Sequence, residues 1–85
     1  MKFRVWCPER GQSEADGFDV DDIEFASAAE RTAMDWYMRG DRFDRVTMRV
    51  RGGVLVRDVD VVAPRGMYVA DVRIVEPTTT TEPTS

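Results

Sequence analysis

The stretch RVTMRVRGGVLVRDVDVV, residues 45–62, decides the fold, because it joins two runs of strand-forming residues through a pair of glycines. In the first run arginine and threonine alternate with valine and methionine, a period of two that is typical of a half-buried strand. Gly52 and Gly53 then turn the chain. The stretch therefore predicts a hairpin whose first strand presents a cationic face to water and an apolar face to the core.

The second run does not keep one alternation. Four valines must reach the core from it: Val54, Val56, Val59 and Val61. We interpret Arg51–Gly53 as a three-residue hairpin loop, so that the first two valines pair with Val50 and Met48, and we place a bulge at residues 57–58 to return the other two inward. The sequence thus predicts a bulged second strand.

The hairpin continues into one more strand. Ala63–Gly66 fits a type I turn, with proline at its second position and glycine at its fourth. Four residues then line one face of the final strand: Tyr68, Ala70, Val72 and Ile74. The second half of the chain therefore predicts a three-stranded meander.

Two extended segments precede the hairpin. Lys2–Cys7 alternates apolar and polar residues until Pro8, so it predicts the first strand. Phe18–Phe25 predicts a second strand, and a bulge at residues 21–22 would turn all four of its large apolar side chains inward.

A helix follows. Ser27–Glu30 fits a capping box, in which the Ser27 hydroxyl and the Glu30 carboxylate satisfy the first backbone amides. The core stripe consists of Ala29, Ala33, Trp36 and Tyr37. Gly40 suits the left-handed conformation that ends many helices.

These elements predict an α+β fold of the order β-β-α-β-β-β, with a mainly antiparallel sheet of four to five strands and one helix packed on one face. We expect a single domain over residues 1–76, because 85 residues are too few for two cores. Residues 77–85 contain only threonine, proline, serine and glutamate, which predicts a disordered tail.

The composition argues against an enzyme. The chain has no histidine, and its one cysteine, Cys7, follows Phe3 and Val5 on the apolar face of the first strand, so a Cys-His nucleophile cannot be built. No glycine pattern resembles a phosphate loop, and the acidic run lacks the spacing of a calcium loop. We expect no cofactor, no metal and no membrane span, and we assign the chain to the cytoplasm.

The first candidate site is an acidic stretch without a basic residue. Its members are Glu14, Asp16, Asp19, Asp21, Asp22 and Glu24. Such a run is typical of a solvated loop and strand edge, and it also suits a docking surface for a basic protein partner. The net charge of −4 agrees with an acidic protein that acts by binding another protein.

The second candidate site is the cationic face of the third strand. Its members are Arg45, Arg49 and Arg51, beside Arg4 and Trp6 of the first strand. Arginines next to an exposed aromatic ring bind single-stranded nucleic acid in sheet-type domains. Two alternatives stay open: Arg45 pairs with nearby Asp58 or Asp60, or Trp6 is covered by the chain. A third function is a homo-oligomeric structural or virion component that associates through an open sheet edge.

The segment Phe3–Gln12, followed by Asp16–Gly17 and the helix from Ala28 to Trp36, resembles small uncharacterised proteins encoded by phages and prophages. The resemblance covers about the first half of the chain. It implies a short accessory protein that binds a host or phage protein in the bacterial cytoplasm, with inhibition of a defence protein or host regulator among its roles. It implies no site residue.

Overall fold

The computed structural model describes residues 1–63 and 67–75. Within them one helix packs against one five-stranded sheet, which confirms the predicted α+β class. Most of the predicted turn at residues 63–66 and the whole predicted tail at residues 77–85 lie outside the described residues.

The strands and the helix follow the predicted order. β1 spans Lys2–Trp6, β2 Phe18–Asp21, α1 Phe25–Met38, β3 Arg45–Gly52, β4 Leu55–Val62 and β5 Tyr68–Ile74. Two short 3-10 turns, Pro8–Arg10 and Glu14–Asp16, separate β1 from β2. In space the strands lie in the order β2-β1-β3-β4-β5, and every neighbouring pair is antiparallel. β2 and β5 are therefore the outermost strands of the sheet.

α1 packs on one face of the sheet, which we call the inner face; the opposite face is the outer face. The buried core comprises Phe3, Val5, Cys7, Ala28, Ala29, Ala33, Val46, Met48, Val50, Val59 and Val61. The predicted alternation of β3 is confirmed, because its valines and Met48 point inward. The three alanines let the helix lie close to the sheet.

The β3–β4 hairpin closes through a two-residue turn at residues 53–54, so the predicted loop at Arg51–Gly53 is wrong. Gly52 pairs with Leu55, and the pairing continues unbroken along both strands. The predicted bulge at residues 57–58 is therefore also wrong.

Unbroken pairing places Arg57 on the inner face, opposite Val50, and Val56 on the outer face, opposite Arg51. The Arg57 guanidinium carbon lies 4.7 Å from the centroid of the Phe25 ring. This cation–π contact and the long aliphatic stem accommodate the charge at the margin of the core. An arginine thus occupies an inner position that the sequence analysis reserved for valine.

α1 begins two residues before the predicted capping box at Ser27–Glu30. β2 ends at Asp21 and Phe25 belongs to the helix, so the predicted strand over Phe18–Phe25 is too long. β2 pairs with β1 in one unbroken register, so the predicted bulge at residues 21–22 is wrong. The Phe25 ring reaches the core by packing on Phe3, with 5.0 Å between ring centroids. The helix therefore brings the Phe25 ring inward, whereas Ile23, which the bulge was also predicted to turn inward, is exposed.

The end of α1 agrees with the prediction. Gly40 has a φ of +107°, the left-handed region that favours glycine, and its N–H donates to the Tyr37 carbonyl at 3.1 Å. Trp36 and Tyr37 are partly buried at this end, where Tyr37 packs edge-on against Phe43.

β5 contains a bulge that the sequence analysis did not predict, because the register with β4 shifts at Ala70. Tyr68, before the shift, lies on the outer face, whereas Val72, after it, lies on the inner face opposite Val59. The prediction of one continuous apolar face is therefore wrong for Tyr68 and Ala70. Val72 and Ile74 do share a face.

Candidate interaction surfaces

The outer face of the sheet brings the predicted nucleic-acid residues together. Arg4 and Trp6 on β1 pair with Arg51 and Arg49 on β3, and Arg45 lies farther along β3 on the same face. Antiparallel pairing produces this cluster because directly opposed residues point to the same side of a sheet.

The neighbouring strand β4 neutralises two of the three β3 arginines, Arg49 and Arg45. Arg49 lies directly opposite Asp58, and its guanidinium donates two hydrogen bonds to that carboxylate, of 2.9 and 3.3 Å. Arg45 lies 3.8 Å from the carboxylate of Asp60. The alternative that Arg45 pairs with a nearby aspartate is therefore confirmed.

Glu14 of the turn neutralises Arg51, and Asp19 of β2 neutralises Arg4. Arg51 donates to the Glu14 carboxylate at 2.8 Å, and Arg4 donates to the Asp19 carboxylate at 2.9 Å. Arg4 also donates to the backbone carbonyls of Glu14 and Ala15, which holds the turn against β1. Their charges therefore stabilise the fold in addition to any role at the surface.

Trp6 is buried, with only 6% of its surface exposed. Base stacking on a binding sheet requires an exposed aromatic face. The structure thus confirms the second alternative of the sequence analysis, in which the chain covers Trp6, and this ring is not available as a stacking platform.

The six residues of the acidic stretch do not form one patch of free carboxylates. Four are in ion pairs: Glu14 with Arg51, Asp19 with Arg4, Asp21 with the N-terminal amine, and Asp22 with Arg31. Asp22 is engaged most fully, since 7% of its side chain is exposed. The run of charge in the sequence is therefore largely compensated in the fold.

The remaining two acidic residues differ from each other. Asp16 accepts hydrogen bonds from the amide and the hydroxyl of Ser13, and the amide lowers the pKa of Asp16 most strongly. Glu24 is exposed, and its side chain makes no hydrogen bond or ion pair within residues 1–63 and 67–75. Asp16 and Glu24 are thus the two carboxylates of the stretch without an ion pair in that part of the chain, and of the two only Glu24 also lacks a hydrogen bond there.

Cys7 lies in the core, as predicted from its alternation with Phe3 and Val5. Its thiol donates to the Thr47 carbonyl at 3.3 Å, and burial raises the pKa of the Cys7 thiol. A raised pKa lowers the thiolate fraction at neutral pH, which disfavours a nucleophilic role. The described residues contain no group of three or more side chains arranged to hold a metal ion.

A shallow groove lies beside the C-terminal end of α1. Its lining residues are Arg10, Gln12, Trp36, Arg39 and Asp41. The Arg10 guanidinium carbon lies 4.9 Å from the centroid of the Trp36 ring, and the same guanidinium is paired with Asp41. This arrangement lowers the pKa of Asp41. Arg10 and Asp41 of the groove therefore bind each other, while Gln12 accepts from the Cys7 amide and Arg39 pairs with Asp35.

β5 presents an open edge within the described residues, because β4 is its only strand neighbour there. Past the end of the strand, the Val75 N–H donates to the Val56 carbonyl at 3.0 Å. Amides alternate in direction along a strand, so those of Val72 and Ile74 point away from β4. An edge of this kind is a template for another extended chain.

The inner face beside this edge carries Arg57, opposite Ile74, and three apolar side chains that α1 covers incompletely. Ile74 is 67% exposed, Leu55 on β4 is 40% exposed and Val72 is 39% exposed. Val59, one strand farther in, is fully buried. The open edge thus adjoins an apolar strip of Leu55, Val72 and Ile74.

The outer face of the same edge carries opposite charges two residues apart. Arg73 donates to Asp71 at 3.0 Å and forms two hydrogen bonds with Asp60, of 2.9 and 3.0 Å. Both aspartates raise the pKa of Arg73, Asp60 more strongly. These residues were not among the predicted site residues. The sequence contains the alternation of Asp71, Val72 and Arg73, but it does not predict that their strand lies at the edge of the sheet.

No helix of the described residues is long and apolar enough to cross a membrane.

No family model matches the chain, and neither a curated protein nor a solved structure matches it. The resemblance to phage and prophage proteins therefore stays a prediction.

Proposed function

We propose that the protein acts by binding another protein chain at the β5 edge and does not catalyse a reaction. The observation that carries the proposal is the open edge of β5 beside the exposed side chains of Val72 and Ile74. An extended partner segment would pair with the outward amides and carbonyls and cover the apolar strip.

Two features make β5 a better binding edge than β2. β5 has seven residues and β2 has four, so β5 offers the longer row of backbone groups, although the bulge at Ala70 interrupts that row. Asp19 and Asp21 also place two carboxylates on β2, and charged side chains on a short edge strand oppose pairing with another chain.

The chemistry of the described residues supports binding over catalysis. The chain has no histidine, and Cys7 is buried with a raised thiol pKa. The groove beside α1 is occupied by the contacts of Arg10 with Trp36 and Asp41. A histidine base is therefore absent from the chain, and the one thiol is not an accessible thiolate nucleophile.

The acidic stretch supports the same class of function less directly. A basic partner would compete with Arg4, Arg31 and Arg51 for carboxylates that already have partners. Charge reversal at Glu24, whose side chain makes neither an ion pair nor a hydrogen bond in the described residues, tests this surface without disturbing an ion pair. Because most of these carboxylates already have partners, we place the primary contact at β5 and not at the acidic stretch.

Site-specific photo-crosslinking tests the proposal in cells that express the full chain. p-Benzoylphenylalanine replaces Ile74 at the β5 edge, and Ile23 serves as the matched control, because it is another exposed isoleucine, 84% exposed and distant from β5 in the sheet order. We expect a discrete protein adduct from position 74 and none from position 23. Adducts from position 23 only, or from neither position, would overturn the proposal.

A further inference from the structure

Resting on the proposed function, we infer that the chain bound at the β5 edge is a second copy of this protein. The two copies pair their β5 strands antiparallel about a two-fold axis at Val72, which joins two five-stranded sheets into one of ten strands. Both helices then lie on the same side of that sheet.

The backbone of β5 suits this pairing. Because the Val75 amide points toward β4, the amide and carbonyl of Val72 face the open edge. Across a two-fold axis at Val72, the two copies of this residue exchange both of their N–H···O hydrogen bonds. No hydrogen bond between β4 and β5 has to break.

The charges select the register. Directly opposed residues of an antiparallel pair share a face of the sheet. When the two strands are copies of β5 related by a two-fold axis, this requires the axis to pass through one residue, which pairs with its own copy, and not between two residues. Centred on Val72, the pairing places Asp71 of each copy opposite Arg73 of the other. Centred on Asp71 or on Arg73, it places two like charges directly opposite each other, which is destabilising. The Val72 register is therefore the favoured one.

The side chains are already arranged for this contact. On the outer face Arg73 is held between Asp60 and Asp71, so the second copy extends an existing row of alternating charges. On the inner face the two copies of Val72 meet, and Ile74 of each lies near the axis. Pairing thus covers apolar side chains that are 39% and 67% exposed.

The opposite edge of the sheet explains why the chains pair through β5. A β2 pair centred on Val20 places Asp19 opposite Asp21 in both directions, and one centred on Asp19 places that residue opposite itself. Either register sets like charges directly opposite each other. The bulge at Ala70 limits the β5 pair to the residues that follow it, which are the ones that carry the complementary charges.

Complementary charge variants test the dimer. Molar mass is measured by light scattering or sedimentation equilibrium over a concentration series of the full chain. We expect the wild type to dimerise, and Asp71→Arg and Arg73→Asp each to raise the dissociation constant about tenfold or more, since each sets two like-charge pairs across the axis. An equimolar mixture of the two variants restores opposite charges at both positions, so the mixture should dimerise. Rescue on mixing requires that both variants are folded.

Matched controls change the charge elsewhere by the same amount. Glu24→Arg and Lys2→Asp alter exposed side chains away from β5 and should leave the dissociation constant unchanged. Val72→Pro is the second variant: it removes an N–H that points to the open edge, leaves the β4 pairing intact and should abolish the dimer. A dimer that survives Val72→Pro would overturn the inference.

Two further outcomes overturn it. If the wild type stays monomeric at every concentration, a second copy does not bind the β5 edge. If the chain dimerises only when it is shortened to end at Val75, the removed segment and not a second copy occupies the β5 edge in the full chain. If the monomer still yields an adduct with another protein from position 74, the proposed binding function stands. If position 74 yields none, both proposals fail.

Discussion

Asp60 is the buried carboxylate of the outer face, with 6% of its surface exposed. Arg73 binds it through two hydrogen bonds, and the Thr47 hydroxyl donates a third at 2.8 Å. These contacts, those of Arg73 above all, lower the pKa of Asp60. The charged carboxylate therefore stabilises the folded chain.

We predict that Asp60→Asn lowers the free energy of unfolding by about 1–3 kcal/mol at pH 7, because Arg73 loses an ionised acceptor. The folded pKa lies below the unfolded value, so this contribution is complete above about pH 4 and is lost as the pH falls through the folded pKa. The difference between variant and wild type should shrink below that pH. Urea unfolding at a series of pH values, at a low and fixed protein concentration, measures it.

Asp35→Asn is the control for Asp60→Asn, because Asp35 forms an exposed pair with Arg39 on α1. Its removal should change the free energy of unfolding by about 0.5 kcal/mol or less. A difference for Asp60→Asn that is the same at every pH would contradict the assigned role of its charge.

Gly52 and Gly53 are adjacent, but each is required for a different reason. Gly53 has a φ of +65° and forms the turn. A Cβ on Gly52 would lie 2.6 Å from Phe3 Cε1 and 2.8 Å from Phe25 Cζ, so at that position the packing of two rings requires glycine. The predicted hairpin loop, Arg51–Gly53, placed both glycines in the turn and was therefore one residue longer than the observed turn at residues 53–54.

At the scale of the element, α1 begins without a side-chain cap. Glu24 occupies the capping position in an extended conformation, with φ −155° and ψ 165°, and makes no capping hydrogen bond. Ser27, the predicted cap, is already the third residue of the helix. The packing of the Phe25 ring against Phe3 therefore outweighs the local preference for a helix start at Ser27.

We predict that Glu24→Asp raises the free energy of unfolding by about 0.5–1 kcal/mol, because the shorter carboxylate accepts a hydrogen bond from a free amide of the first turn while the charge is kept. Thermal and urea unfolding measure the change. Ser27→Ala should stay within about 0.5 kcal/mol of the wild type. The opposite pattern, a large loss for Ser27→Ala and no gain for Glu24→Asp, would restore the predicted capping box.

At the scale of the whole molecule, the arginines of the outer face are paired with carboxylates, so their charges are largely neutralised. These carboxylates belong to β2, β4 and the Glu14–Asp16 turn, and the chain carries a net charge of −4. Affinity for nucleic acid requires excess cations that can release counterions from phosphates. The paired arginines do not supply that excess.

We predict that the protein binds a 20-nucleotide single strand with a dissociation constant above about 100 μM at physiological salt. Fluorescence anisotropy of a labelled strand measures it. Tighter, salt-sensitive binding that disappears in the triple variant Arg45→Ala, Arg49→Ala and Arg51→Ala would restore the nucleic-acid hypothesis. A matched triple variant, Arg31→Ala with Arg39→Ala and Arg42→Ala in and just after α1, controls for the loss of three positive charges.

The sequence determined those features that depend on local periodicity. The alternation of β1 and β3, the alanine stripe of α1 and the ending at Gly40 were all predicted, because a period of two or of 3.6 assigns side chains to faces wherever the segment lies. It also placed Arg4, Arg49 and Arg51 on one face. The fold class follows from these elements.

The tertiary structure decided the features that depend on residues distant in the chain. Trp6 is buried and Glu14 is paired with Arg51 because β1 from the first half of the chain lies beside β3 from the second. The inner position of Arg57 and the bulge at Ala70 follow from the registers of β4 with β3 and with β5, which no single strand determines. The open edge belongs to this group. β5 is exposed because the order β2-β1-β3-β4-β5 leaves it outermost and α1 covers the central strands, and that order is set by long-range burial rather than by the residues of β5.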